Sequence, residues 1–206
     1  MRFAKIEIRL SAVLFLGLCA YSGFLREAFL FLGIFLCHEL GHLFWIKIFG
    51  AKVSAVHLTG IGGIIELEAR TLPFWQHLLI DSGGITVNII LALIIPLIKF
   101  SPHTANLLLS YNRLLLGFNL FPVYPLDGFH LLFHGLNLFF DEEYVYDLLF
   151  YVSLLFLIVL AFLVFLSKSI GLLLVVAFLF LKQTKLKQLK KLSRLQTYRL
   201  LMPLIR

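Results

Sequence analysis

Residues 28–49 read AFLFLGIFLCHELGHLFWIKIF, an apolar stretch that carries three ionisable groups, His38, Glu39 and His42, within five consecutive positions. A hydrocarbon core of about 30 Å needs about 20 helical residues, so the stretch is long enough to cross a bilayer as one helix. Ionisable groups at such a depth are expensive and default to a functional reading. Histidines at i and i+4 stand about 40° apart around a helix, so both imidazoles reach one metal ion, with the intervening Glu39 beside them as a base. The bland alternative, a helix whose histidines make hydrogen bonds inside a bundle, has to meet the same cost without the same return.

The rest of the chain agrees with a membrane setting. Of 206 residues, 61% are hydrophobic and 14% charged, against the 45–50% apolar content of an ordinary soluble domain. No internal repeat and no long polar linker divides it, which gives one integral-membrane domain over residues 1–181. The net charge of +7 has its basic excess in residues 182–206, which hold eight Lys/Arg and no acid, against ten basic and eleven acidic side chains before them. A polybasic segment directly after an apolar one faces anionic lipid at the cytoplasmic surface, and no nucleic-acid partner is expected. Cys19 and Cys37 lie in apolar stretches and read as packing residues. The basic start and apolar Leu10–Leu25 resemble a signal peptide, but no small-x-small site follows. Leu18 also stands where a lipoprotein box needs a small residue, so the segment reads as an uncleaved first span.

Six apolar stretches follow one another: Leu10–Leu25, Ala28–Phe49, His77–Ile98, Ala105–Phe121, Tyr146–Leu166 and Ile170–Leu181. The last has only twelve residues, so it is a short span, a re-entrant segment or the continuation of a bent fifth helix. Basic residues at both ends put both termini in the cytoplasm. The second and fourth spans then both run toward the cytoplasmic side. Between the second and third, Ala51–Glu68 has β-branched runs around Gly60, Gly62 and Gly63, the pattern of a hairpin. It is either a surface connection or an edge able to pair with an extended substrate. The expected fold is an all-α membrane protein, a polytopic bundle of about six transmembrane helices with a small β-hairpin between the second and third. Asp127–Asp147 reads as an amphipathic interfacial stretch in which Asp141, Glu142 and Glu143 form a solvated face.

A catalytic zinc site needs a third protein ligand and an open position. Asp127 ends the run Asn119-Leu-Phe-Pro-Val-Tyr-Pro125-Leu-Asp127, before Gly128, in which two prolines break the fourth helix near its end. That break presents Asp127 on the side where the second helix also ends; an ordinary loop with a solvated Asp is the alternative. In these residues the chain resembles the site-2 proteases, intramembrane zinc peptidases. His38–His42 matches the family's HExxH, Asn119–Gly128 its N-x-x-P-x-x-P-L-D-G, and Gly83-Gly84-Ile85-Thr86-Val87-Asn88 is similar to its A-G-P-x-x-N, with Ile85 in place of the proline and Gly83 in place of the alanine. The likeness covers Ala28 to about Phe129 and is nearest to the branch of sporulation proteases that process a membrane-tethered sigma-factor precursor.

The resemblance implies one zinc ion per chain on His38, His42 and Asp127, with Glu39 as the general base. It implies a membrane-spanning or membrane-tethered protein substrate and a bacterial cell membrane as the location. Asn119, Pro125 and Asn88 correspond to residues around the centre or the substrate. Asn119 either donates to the developing oxyanion or makes a helix-end hydrogen bond. Two other classes compete. A membrane-anchored protease working in the cytosol would take Glu143 as third ligand with Asp147 behind it, but needs a polar catalytic domain. A metal or proton transporter would spread ionisable residues over several spans, whereas here they converge. His130 and His134 share the i, i+4 spacing without an acid between them and read as interfacial; His57, His77 and His103 have no partner at ligand spacing.

Overall fold

In a computed structural model, residues 5–8, 21–51, 53–59, 62–67 and 72–201 are described, and they divide into two compact units, 1–118 and 119–206. The expected first span, Leu10–Leu25, and Cys19 fall almost wholly outside the described residues, as do Gly60 and residues 202–206.

The first unit is built on α1 (Leu25–Ile48) and α2 (Phe74–Ile94). In α1 the buried residues Ile34, His38, Gly41, His42 and Ile46 recur at three- and four-residue intervals, so one stripe faces the protein and the two histidines lie on it. The helix stops at Gly50, whose φ of 62° is left-handed. Gly50 N–H donates to Lys47 C=O at 3.1 Å and Ala51 N–H to Ile46 C=O at 3.0 Å, the paired bonds of a Schellman end. A short 3-10 turn (Ile95–Leu97) with Pro96 closes α2, and α3 (Pro102–Asn119) follows. Ile34, Ile95, Leu108 and Leu115 form the apolar core here.

Where α1 and α2 meet, glycine faces glycine. A Cβ on Gly41 would strike the backbone C=O of Gly83, and one on Gly83 would strike that of Gly41 and lie 2.9 Å from His42 N. Small residues let helix backbones approach this closely in lipid, where packing and not apolar burial holds helices together.

A three-stranded sheet belongs to the same unit: β1 (Lys5–Ile8), β2 (Val53–Thr59) and β3 (Gly62–Leu67), in that order. β2 and β3 pair antiparallel, with Val56 opposite Ile65 and a register shift between Val53 and Ala55; β1 lies parallel to β2, with Lys5 opposite Ala55. The parallel strand was not legible in the sequence, because Lys5–Ile8 reads only as a basic leader and its partner is 50 residues away.

The second unit contains α4 (Asp127–Leu136), α5 (Glu142–Ser167) and α6 (Ile170–Leu201) around a core of Phe129, Val145, Leu149 and Leu186. Lys168, with φ 50°, ends α5, its N–H donating to Val164 C=O at 2.9 Å. The sixth apolar stretch is the start of a helix of 32 residues that runs on through the basic segment. Residue 182 is therefore not an edge of structure: Gln183 and Leu186 are buried within this unit.

Among the described residues three helices are long and apolar enough to cross a membrane: Leu25–Ile48, Trp75–Leu97 and Glu142–Ser167. The expected count of about six spans is not reached by them. Asn106, Ser110, Asn112 and Arg113 make α3 more polar than a typical span, and the apolar part of α6, Ile170–Thr184, is short. Side chains such as Phe29, Leu40, Phe44, Leu155, Ile158 and Phe162 are more than half exposed on the long helices, the outward apolar surface that lipid covers.

Candidate metal centre

His38 and His42 occupy successive turns of the buried stripe of α1, with 2% and 9% of their surface exposed. Their Nε2 atoms face each other at 3.3 Å. Two imidazole nitrogens each about 2.0–2.1 Å from a tetrahedral zinc would be about 3.3 Å apart. The spacing is that of a shared metal. His42 Nδ1–H donates to the Ile80 carbonyl of α2 at 2.8 Å. A carbonyl can only accept, so this bond puts the proton on Nδ1 and leaves the Nε2 lone pair for a ligand, the usual outer support of a metal-bound histidine.

The glycine of α2 one turn beyond Ile80 lies against both nitrogens. A Cβ built on Gly84 would lie 2.5 Å from Nε2 of His38 and 2.5 Å from Nε2 of His42. This is a cradle that a methyl group would fill. Glu39, the neighbour of His38 on α1, is half-buried.

Asp127 is delivered by the segment that follows α3. That helix ends at Asn119, three residues before Pro122, and an irregular run leads to Leu126, whose extended backbone caps α4. Its carbonyls are held within the second unit. Ser153 Oγ donates to Pro122 C=O at 2.9 Å, and Gln183 Nε2 reaches Tyr124 C=O at 3.5 Å. Val123 and Phe129 are fully buried on either side. The Tyr124–Pro125 peptide is cis. Burial pushes the Tyr124 phenol above its ordinary pKa. Gly128 passes so near Leu120 and Phe121 that a Cβ would meet the Leu120 C=O and stand 2.8 Å from the Phe121 oxygen; only glycine fits after the aspartate. At the first position of α4, a carboxylate also sits well with the helix dipole.

One ligand atom from each of His38, His42 and Asp127 lies within 4.8 Å of the others, and among the described residues no other group of metal-ligating side chains comes together. Two nitrogens and one carboxylate oxygen suit a borderline ion such as zinc and match the three-protein-ligand set of catalytic sites. Glu143 and Asp147 are exposed in the first two turns of α5 and take no part in the group. His130 and His134 lie on α4 among aromatic rings, those of Tyr124, Phe129 and Phe133. Asn119 and Pro125 are half-buried, and Asn88 is wholly buried. The histidine support from Ile80 and the loop support from Ser153 and Gln183 come from residues remote in sequence from the groups they hold. Ser153 and Gln183 carried a signal nonetheless, as polar side chains within or next to apolar runs.

No protein-family model matches the chain. A zinc metalloprotease of Methanocaldococcus jannaschii is 31% identical over 137 residues, 60% of this chain and 40% of that protein. Stage IV sporulation protein FB of Bacillus subtilis is 29% identical over 134 residues, 63% of this chain and 46% of that protein. The chain thus spans less than half the length of these two relatives. Among solved structures, the site-2 protease from Methanocaldococcus jannaschii superposes with a TM-score of 0.68 at 25% identity, covering 87% of this chain and 89% of that one.

Proposed function

Because this chain belongs to the site-2 protease family of zinc metalloproteases, we propose that it hydrolyses peptide bonds of membrane-spanning or membrane-tethered proteins at a single zinc ion held by His38, His42 and Asp127. The observation that carries the reading is the group formed by those three residues, whose ligand atoms lie within 4.8 Å of one another. A zinc ion held there would supply Lewis acidity, polarising the scissile carbonyl and lowering the pKa of water toward about 7. Glu39 takes a proton from the attacking water on a carboxylate oxygen and passes it to the leaving amine. Asn119, at the end of α3, donates from Nδ2 toward the developing oxyanion, and Pro125, on the loop that follows, shapes the approach of substrate. Three apolar helices support a location in the membrane. On this reading the basic segment from Lys182 lies at the cytoplasmic, anionic lipid surface.

Zinc content separates this assignment from the cytosolic-protease alternative. Asp127→Ala, left with two protein ligands, is expected to lose zinc during purification, whereas Glu143→Ala and Asp147→Ala keep it, because exposed acids contribute little beyond solvation. Full zinc in Asp127→Ala together with loss in Glu143→Ala would reverse the assignment. Topology gives an independent check: reporters fused after Lys190 and at the N-terminus should both read as cytoplasmic, and an external Lys190 would contradict the orientation.

A further inference from the structure

The first unit contains a second polar feature, separate from the three ligands. Asn88 of α2 and Asn112 of α3 are both 0% exposed. Asn112 Nδ2 donates to the Asn88 backbone carbonyl at 2.8 Å. That leaves Asn112 Oδ1 and both side-chain polar atoms of Asn88 buried, with no hydrogen-bond partner among the described residues. Turning the Asn112 amide over would set its oxygen against the Asn88 carbonyl oxygen and lose the one bond present. Apolar residues lie close by in sequence: Leu108 and Leu115 flank Asn112 on α3, Leu91 follows Asn88 by one turn on α2, and all three belong to the apolar core with Ile34 and Ile95.

Buried amide groups are nearly always paired, with protein or with ordered water, and in a lipid-embedded bundle there is no bulk solvent to substitute. We propose that Asn88 and Asn112 form an internal water-binding site in the first unit, one helical turn along α2 from Gly84. The donor set selects the ligand. A cation would satisfy the two Oδ1 atoms and be repelled by Asn88 Nδ2–H, and an anion would do the opposite. Water both donates and accepts, and a buried water typically makes about three hydrogen bonds, so one or two waters complete this mixture of one amide donor and two carbonyl acceptors. The bond that joins the two residues lies within residues 1–118, and the site stands whether or not the chain is a protease.

The test is solution NMR of the full chain in micelles, deuterated and labelled with 15N at asparagine. Side-chain signals are assigned by their disappearance in Asn88→Asp and Asn112→Asp, which keep the size of the residue. Rotating-frame cross-peaks from water to the Asn88 Nδ2 protons, with the sign of dipolar contact and not of exchange, are the expected result. They should be weakened or lost in Asn112→Leu, where one acceptor is removed. A silent Asn88 amide in the folded parent overturns the proposal. An experimental density map of the unmodified protein answers the same question without any variant. A peak within about 3.2 Å of Asn88 Nδ2 and one Oδ1 supports the site; a clear map with no peak, or a peak that gains anomalous signal when rubidium or bromide is supplied, overturns it.

Discussion

Glu39→Gln is expected to fold, to bind zinc as the parent does, and to lose about 10²–10⁴-fold in peptide-bond hydrolysis, the range a positioned general base contributes. The amide has nearly the shape of the carboxylate, so the half-buried position on α1 is filled as before. What disappears is the capacity to accept a proton from water and return it to the leaving nitrogen. None of the three ligand-bearing residues changes, so metal content serves as the internal control. The measurement is zinc per chain together with cleavage of a tagged, membrane-tethered peptide that the parent cuts. Unimpaired turnover by a zinc-loaded Glu39→Gln protein would remove the hydrolytic mechanism. A transporter built from the same residues would show changed ion flux with no cleavage in either protein.

His38 and His42 were legible in the sequence as a candidate pair because one helical stretch fixes the spacing of both imidazoles without help from the rest of the chain. Asp127 could be singled out because Pro122 and Pro125 break the backbone after an apolar helix, a constraint visible without coordinates. What orients these groups was not legible, because it comes from segments remote in sequence. The Ile80 carbonyl that sets the His42 tautomer is 38 residues away, and the Ser153 hydroxyl that holds Pro122 is 31 away. Backbone carbonyls have no sequence signature at all. The strands show the same division. The β-branched runs of β2 and β3 marked both as extended, but the parallel addition of β1 depends on a contact between distant segments. For the helices, apolar length overstated α3, where four polar or charged residues occur within eight positions, and α6 was truncated at the first lysine although Gln183 and Leu186 are buried. Lysines from Lys182 onward do not end the helix, which runs on to Leu201.

Gly84→Ala is the substitution that most directly probes the metal centre without touching a ligand. In the first unit the added methyl would stand 2.5 Å from Nε2 of both His38 and His42, inside the space two zinc bonds of about 2.0–2.1 Å would occupy. The atoms it meets are the far ends of side chains, so the imidazoles can swing aside and the helix pair survives. Swinging aside is what the metal cannot tolerate, since the 3.3 Å spacing of the nitrogens and the Ile80 bond that presents His42 are lost together. Zinc affinity should fall by at least the roughly 10–100-fold seen when an outer support of a ligand is removed, while the melting temperature of the zinc-free protein stays near that of the zinc-free parent. Gly83→Ala gives the contrast. Its methyl would meet the Gly41 backbone, including the carbonyl, and lie 2.9 Å from His42 N, atoms that cannot rotate away, so α1 and α2 must separate and the protein should be destabilised with or without zinc. Titration of zinc into both variants, alongside melting of the metal-free forms, distinguishes the two outcomes. Parental zinc affinity in Gly84→Ala would mean that the metal lies away from the face of α1 that Gly84 covers, and the placement of His38 and His42 as joint ligands would have to be abandoned.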